Sequence, residues 1–341
     1  MKVLSLQLEK SSGCALMIDG AIIFSSSEER FSRIKSDSLF PKKAIKAALD
    51  FAKIKAKDLD KVLICSTEVT LYASLVNLYS FLSVKDQLRM MKEYWEPKLI
   101  DKKKVSFLYF LKDKIQLNKY PFNTKYAKVF PFLKKNFKHK IDQNDQKKPF
   151  QSSKDAKIVS NFFINIISSY LKIDKNIIEH VDHHTCHAAY AFFASPIRHK
   201  DSTIFTADAF GDYLSGTVSK YDKKNNKLKR VKSYSHTDFQ LARIYRFVTI
   251  YLRMLGDSHE YKVMGLAPYY DGSRYKEVEN VFHKMQKVKG TKIIFNKKIK
   301  NIFYYLEKEL FNYRFDYIAT ALQSFSEKIL VKWFENILKK Y

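Results

Sequence analysis

A chain of 341 residues with 46% hydrophobic content is long enough for one large domain or two lobes with sizeable cores, and it is too apolar to be disordered. Its 62 Lys+Arg against 35 Asp+Glu give a net charge of +27. The excess is lysine spread along the chain, with no arginine-rich arm, RNP-like motif or zinc-finger spacing, so nucleic acid is not the expected partner, while anionic substrates such as nucleotides suit the charge. Cys14, Cys65 and Cys186 lie too far apart for a disulfide framework or a cysteine zinc site, the N-terminus is too short and polar for a signal peptide, and no apolar run approaches a membrane span, so a soluble protein of the reducing cytoplasm is expected, with no membrane partner.

Residues 2-8 read as a strand, followed by the polar break EKSSG. CALMIDGAIIFSSSEE reads as a hairpin turning at Asp19-Gly20, because a two-residue turn with positive φ favours Asp-Gly. EERFSRIKSDSLF is a polar loop, Pro41 opens a helix over PKKAIKAALDFAKI, and 60-66 is a second buried strand. Residues 70-150 are rich in Lys, Tyr and Phe. The stretch 94-115 predicts helices joined by a proline turn, and 136-154 predicts a mobile loop. Basic-aromatic interleaving of this kind can bind nucleic acid, but helices packing on aromatic faces are its commoner cause. Residues 156-171 form an amphipathic helix and 183-194 a helix headed by histidines. From Asp201, STIFTADAFGDYLSGTVSKYDKKNNKLKRVKSYS gives strand, Gly-Asp turn, strand, Asn-Asn turn, strand. The first 29 residues run in the same order, which predicts a duplicated β-β-β unit and two related lobes. Helices over 239-255 and from Asp316 to the end follow, with a loop or helix start at HEYKVMGLAPYYDG.

The histidine helix is the first chemical feature. Asp182 caps its first turn, and His183 and His187, four apart, share a face on which two neutral imidazoles can chelate one ion. The positive end of the helix dipole disfavours imidazolium at His183. Asp208 ends an apolar strand some twenty residues on and supplies a carboxylate; the set suits Fe(II), Mn(II) or Zn(II). His184 points away and is suited to a hydrogen bond with a ligand residue or substrate. The competing readings are a turn residue for Asp208, solvated surface for His180 and His184, and a small core residue for Cys186. In the second feature, HEYKVMGLAPY, Lys262 can pair with a phosphate, Gly265 permits close backbone approach, and Glu260 can hold a ribose hydroxyl or orient Lys262. A plain turn explains the same residues.

SSGCALMIDG (11-20), EERFSRIKSD (28-37), FPKKAIKAAL (40-49), HHTCHAAYAFFASPI (183-197), TADAFGDYLSGTVS (206-219) and EYKVMGLAPYY (260-270) occur in one order. In that combination the chain resembles the carbamoyltransferases of nodulation and antibiotic tailoring. The resemblance implies an α/β chain of actin-like, sugar-kinase-type (RNase H-like) two-lobed fold, similar to the universal tRNA threonylcarbamoyl-transfer enzyme. It implies transfer of a carbamoyl group from a carbamoyl-adenylate, made from ATP and carbamoyl phosphate in a separate C-terminal domain, to a hydroxyl of a sugar, aminoglycoside or similar acceptor. His183, His187 and Asp208 would hold an iron-type metal, and Lys262 and Gly265 would lie near the nucleotide.

Two departures stand out. Lys10-Ser11 occupies the place of the family's His-Asp, so any catalytic role there would fall to a lysine of lowered pKa, and Ser36 stands where the family usually has histidine. The second lobe also stops before the family's later strands and glycine-rich loop. The expected organisation is residues 1-200 as the first lobe with a helical insertion at about 70-155, and residues 201-341 as a truncated second lobe; the chain is then either an N-terminal half that meets a separately encoded C-terminal half, or a fragment or decayed copy, and the expected protein partner is that C-terminal half or a second copy in a homo-oligomer. The rival expectations are a catalytically degenerate subunit or scaffold, and a nucleic-acid-associated protein of the same superfold.

Overall fold

The computed structural model describes residues 1–8, 11–37, 40–67, 82–105, 153–198 and 201–341. The chain is a mixed α/β protein that divides into two compact units, Met1–Phe81 with Lys114–Tyr190, and Leu82–Asp113 with Ala191–Tyr341.

The first unit is built on a five-stranded sheet of β1 (Lys2–Gln7), β2 (Gly13–Ile18), β3 (Ala21–Ser27), β4 (Lys61–Cys65) and β5 (Ile178–Val181), in the order β3-β2-β1-β4-β5. β1, β2 and β3 form an antiparallel meander, while β4 pairs parallel with β1 and β5 parallel with β4. The β2–β3 connection is the expected two-residue turn. Asp19 (φ 49°) and Gly20 (φ 85°) are both left-handed, as a turn that follows the strand twist requires. Leu4, Leu6, Leu16, Val62 and Ile64 are fully buried at the centre of the sheet. After α1 (Glu29–Ser32), α2 (Lys42–Phe51) turns Ala44, Ile45 and Ala48 inward. Its first turn is closed by Glu28, whose buried carboxylate accepts from the amides of Lys43 (3.0 Å) and Ala44 (2.8 Å). That is a carboxylate at the positive end of a helix.

The second unit opens with α3 (Val84–Met90), a π-helical turn at Met91–Trp95 and α4 (Glu96–Leu99). Val84–Leu99 is one unbroken helical run with Pro97 in the first turn of α4, so the expected proline turn between helices does not form there. The expectations for the rest of 94-115 beyond residue 105, and for 136-152, lie outside the described residues. Ser153 and Lys154, placed in that loop by the sequence reading, already belong to α5 (Ser153–Leu171) of the first unit.

A second antiparallel meander follows: β6 (Thr203–Gly211), β7 (Leu214–Asp222) and β8 (Lys227–Ser235). Its first turn lies at Asp212 (φ 48°) and Tyr213 (φ 68°), one residue later than the Gly-Asp of the sequence reading. The meander packs against α7 (Leu241–Tyr251) and α11 (Phe315–Leu338). Trp333 of α11 is fully buried, and its indole N–H donates to the Tyr234 hydroxyl at 2.8 Å. α8 (Glu260–Leu266), α9 (Tyr275–Met285) and α10 (Ile302–Leu310) complete this core. A hairpin of β9 (Gln286–Lys289) and β10 (Lys292–Phe295), which the sequence reading did not place, turns at Gly290 (φ 54°).

Helices end earlier than their apolar periodicity suggests. α7 stops at Tyr251 because Arg253 turns left-handed (φ 60°); its amide donates to Ile250 O and that of Met254 to Thr249 O. The same pairing closes α2, where Lys53 (φ 54°) donates to Asp50 O and Ile54 to Leu49 O. Both are Schellman ends with a basic residue where glycine is usual.

Candidate metal and ligand site

β5 leads through Asp182 into α6 (His183–Phe193). Asp182 caps α6 as its sequence position suggests: its Oδ1 accepts from the Thr185 amide (2.8 Å) and hydroxyl (2.9 Å). The strand end is also tied across the sheet. Ser66, at φ 135°, donates its amide to Val181 O and receives a hydrogen bond on its carbonyl from His180 Nδ1 at 2.9 Å. A carbonyl can only accept, so His180 carries its proton on Nδ1. Its Nε2 is buried and has no hydrogen-bond partner among the described residues.

One helical turn apart, His183 and His187 bring their Nε2 atoms to 3.0 Å, with ring centroids 4.6 Å apart. At that distance either one imidazole donates to the other, or both lone pairs face one cation. Two cis ligands with metal bonds of about 2.1 Å at right angles span about 3.0 Å, so the spacing fits a shared ion. Asp208 lies on β6 where the pairing with β7 is interrupted between Ala207 and Gly211. A break of this kind re-aims side chains out of the ladder. Its Oδ1 accepts from the Ala209 amide at 2.6 Å. Among the described residues, His183, His187 and Asp208 each offer one ligand atom, and all three atoms lie within 4.8 Å of one another. Two imidazole nitrogens and one carboxylate oxygen fit a first-row divalent ion. His183 and Asp208 are half-buried and His187 is exposed.

The remaining sequence candidates fall elsewhere or in different roles. His184 is fully buried and its ring centroid is 5.3 Å from that of His183. His180 is half-buried, so the solvated-surface reading fails for both; they are held by the β5–α6 junction instead. Cys186 is half-buried, with Sγ 3.9 Å from Val181 O. Lys10 lies outside the described residues, and Ser11 is exposed with φ 60°. Ser36 (φ 54°) donates its amide to Glu29 Oε2 at 2.7 Å. Glu260, Lys262 and Gly265 all lie on α8. Glu260 accepts from the Asp257 amide at 2.6 Å, which ties it to the loop before the helix. Lys262 Nζ is 3.3 Å from His259 Nε2, while His259 Nδ1 accepts from the Leu255 amide at 3.2 Å. A Cβ at Gly265 would meet nothing within 4 Å, so packing does not require glycine there and the space beside it is open. Near this loop, burial and then the charge of Arg246 push the Arg243 guanidinium down to about 10, against the opposing pull of Asp257.

The whole sequence, residues 2–341, matches the family described as "Carbamoyltransferase N-terminus". The chain belongs to this carbamoyltransferase family. It is 23% identical over 274 residues to nodulation protein NolNO of Sinorhizobium fredii, a match covering 80% of this chain and 30% of that protein. It is 25% identical over 261 residues to an uncharacterised protein of Synechocystis sp., covering 76% of this chain and 33% of the relative. Nodulation protein NolO of Bradyrhizobium diazoefficiens is 32% identical over 105 residues, covering 31% of this chain and 18% of that protein. The chain thus spans about a third of the length of the first two relatives.

Proposed function

We propose that this carbamoyltransferase-family chain is the metal-binding N-terminal portion of an O-carbamoyltransferase. It takes a carbamoyl group from a carbamoyl-adenylate, formed from ATP and carbamoyl phosphate, and transfers it to a hydroxyl of a sugar or secondary metabolite. The convergence of His183, His187 and Asp208 is the observation that carries this reading, because the three donors sit within 4.8 Å in a chain matched end to end by the family. Fe(II) is the favoured ion, with Mn(II) or Zn(II) as alternatives. When bound, it supplies positive charge against the oxygen that becomes negative during transfer. Asp182 and the β5–α6 junction orient the two imidazoles. α8 presents Lys262 to the adenylate phosphate and leaves open space beside Gly265 for the nucleotide, with Glu260 bracing the approach to the helix. Formation of the adenylate is assigned to sequence outside this chain, whether continuous with it or separately encoded.

The β3-β2-β1-β4-β5 order and the repeat of its meander in β6-β7-β8 support the actin-like, RNase H-like assignment, with lobes at residues 1-200 and 201-341. A second reading, a degenerate subunit that keeps the fold and binds a partner chain, is favoured by Ser11 at the place of the family's acidic residue.

The test is transfer of labelled carbamoyl to sugar and aminoglycoside acceptors, with ATP and carbamoyl phosphate. The chain is assayed alone and with the C-terminal portion of a relative. Labelled ester dependent on His187 is expected in the completed system. No product in either setting, together with no thermal stabilisation by ATP, would favour the degenerate subunit.

A further inference from the structure

Gln87 and Gly256 are 169 residues apart in sequence and joined by two buried hydrogen bonds. The Gln87 amide donates through Nε2 to Gly256 O at 3.1 Å, and its Oε1 accepts from Gly256 N at 2.9 Å. One side chain thereby satisfies both backbone groups of one residue, as a neighbouring strand would. The partner is a glycine with little room beside it: a Cβ at Gly256 would come within 2.8 and 2.9 Å of the fully buried Ile250 side chain, which would have to shift to admit it. The donor is equally fixed. α3 begins with a reciprocal cap, in which Ser83 Oγ accepts from the Asp86 amide and Asp86 accepts from the Ser83 amide, and it continues into the buried Met90, Met91 and Tyr94.

What the pair holds is the loop that enters α8. Asp257 follows Gly256 in the left-handed region (φ 65°); its carboxylate takes Arg246 at 2.8 Å and its amide donates to Glu260 Oε1 at 2.6 Å. Two residues further on is Lys262. From Gln87 the chain of contacts therefore runs through Gly256 and Asp257 to Glu260 without a gap. We propose that Gln87 is a positioning residue, a clip from α3 that fixes the loop before α8 and so sets where Glu260 and Lys262 meet a phosphate-bearing ligand. The ligand half of this inference rests on the function proposed above; the clip itself does not.

The test uses the full chain with Gln87→Met, which keeps the volume and removes both hydrogen bonds, and Gln87→Glu, which keeps only the acceptor. Arg89→Ala, an exposed residue of α3 paired with Glu93, is the control. Amide hydrogen exchange is read at 256-262 and in α11, and affinity for AMP, the monophosphate that an adenylate carries, by calorimetry. The expected result for Gln87→Met is exchange at least tenfold faster at 256-260, α11 unchanged, and AMP bound about tenfold more weakly, with Gln87→Glu intermediate and Arg89→Ala like wild type. Unchanged exchange at 256-260 overturns the clip. Faster exchange with unaltered AMP affinity overturns the positioning role and leaves a structural bond. Should Gln87→Met not fold, Gln87→Glu is read against the same criteria. A wild-type chain that binds no AMP contradicts the adenylate site of the proposed function, while the exchange data still decide the clip.

Discussion

Cys14 shows how one buried position sets reactivity. Burial, and then the charge of Glu28, push its thiol up to about 12. A raised thiol pKa keeps the group neutral at pH 8.5 and so withholds the reactive thiolate. Cys65 and Cys186 are both less buried. Iodoacetamide at pH 8.5 should therefore label Cys65 and Cys186 in the folded protein and reach Cys14 only in urea; labelling of Cys14 at their rate in the native state would contradict the burial. At this scale the candidate site was partly legible. The i,i+4 spacing exposed the His183–His187 pair and Asp182 was readable as a cap, while Asp208, expected to end its strand, lies inside β6 at the break in its pairing. Other contacts were not. Glu28 belongs to a polar loop in the sequence and becomes the cap of α2 only once the chain folds back. Gln87 has no sequence signal that ties it to Gly256, because side-chain to backbone bonds across 169 residues follow no local period.

At the scale of elements, β1 to β4, β6 to β8 and helices α2, α5, α6, α7 and α11 follow from alternation, periodicity and turn chemistry, and both meanders were foreseen from their turns; β5, α3, α9 and α10 were not placed, and α1 forms in the stretch read as a polar loop. Helix ends were placed late for a physical reason. The usual stop signal is glycine in the left-handed region, and this chain has only eight glycines. Lys53, Lys172 and Arg253 take that conformation instead, with φ of 54°, 56° and 60°. An L-residue there costs about 1–2 kcal/mol, partly offset by the greater unfolded-state entropy of glycine. Lys53→Gly and Lys172→Gly should each stabilise the protein by roughly 0.5–1 kcal/mol, read as a higher urea midpoint at constant m-value. A lower midpoint would show that the lysine side chains contribute more than the strain they carry. The β9–β10 hairpin was missed because two four-residue strands carry too little alternation to rise above a lysine-rich background.

For the molecule as a whole, the site draws on elements far apart in sequence: an α-helix after a parallel strand and a broken pairing in an antiparallel meander. Each is ordinary by itself. Their chemistry lies in bringing two imidazoles and a carboxylate within 4.8 Å, which the family match over residues 2–341 makes a reason to look for an ion. The central claim is that this triad grips a divalent metal. Its most direct test is elemental analysis of the full chain after anaerobic loading with Fe(II) and desalting, for wild type, His183→Ala, His187→Ala and Asp208→Asn, with circular dichroism confirming the fold of each. Wild type should retain about one ion per chain and each variant well under half of that. Wild type that retains none, or variants that retain as much as wild type, would contradict the account.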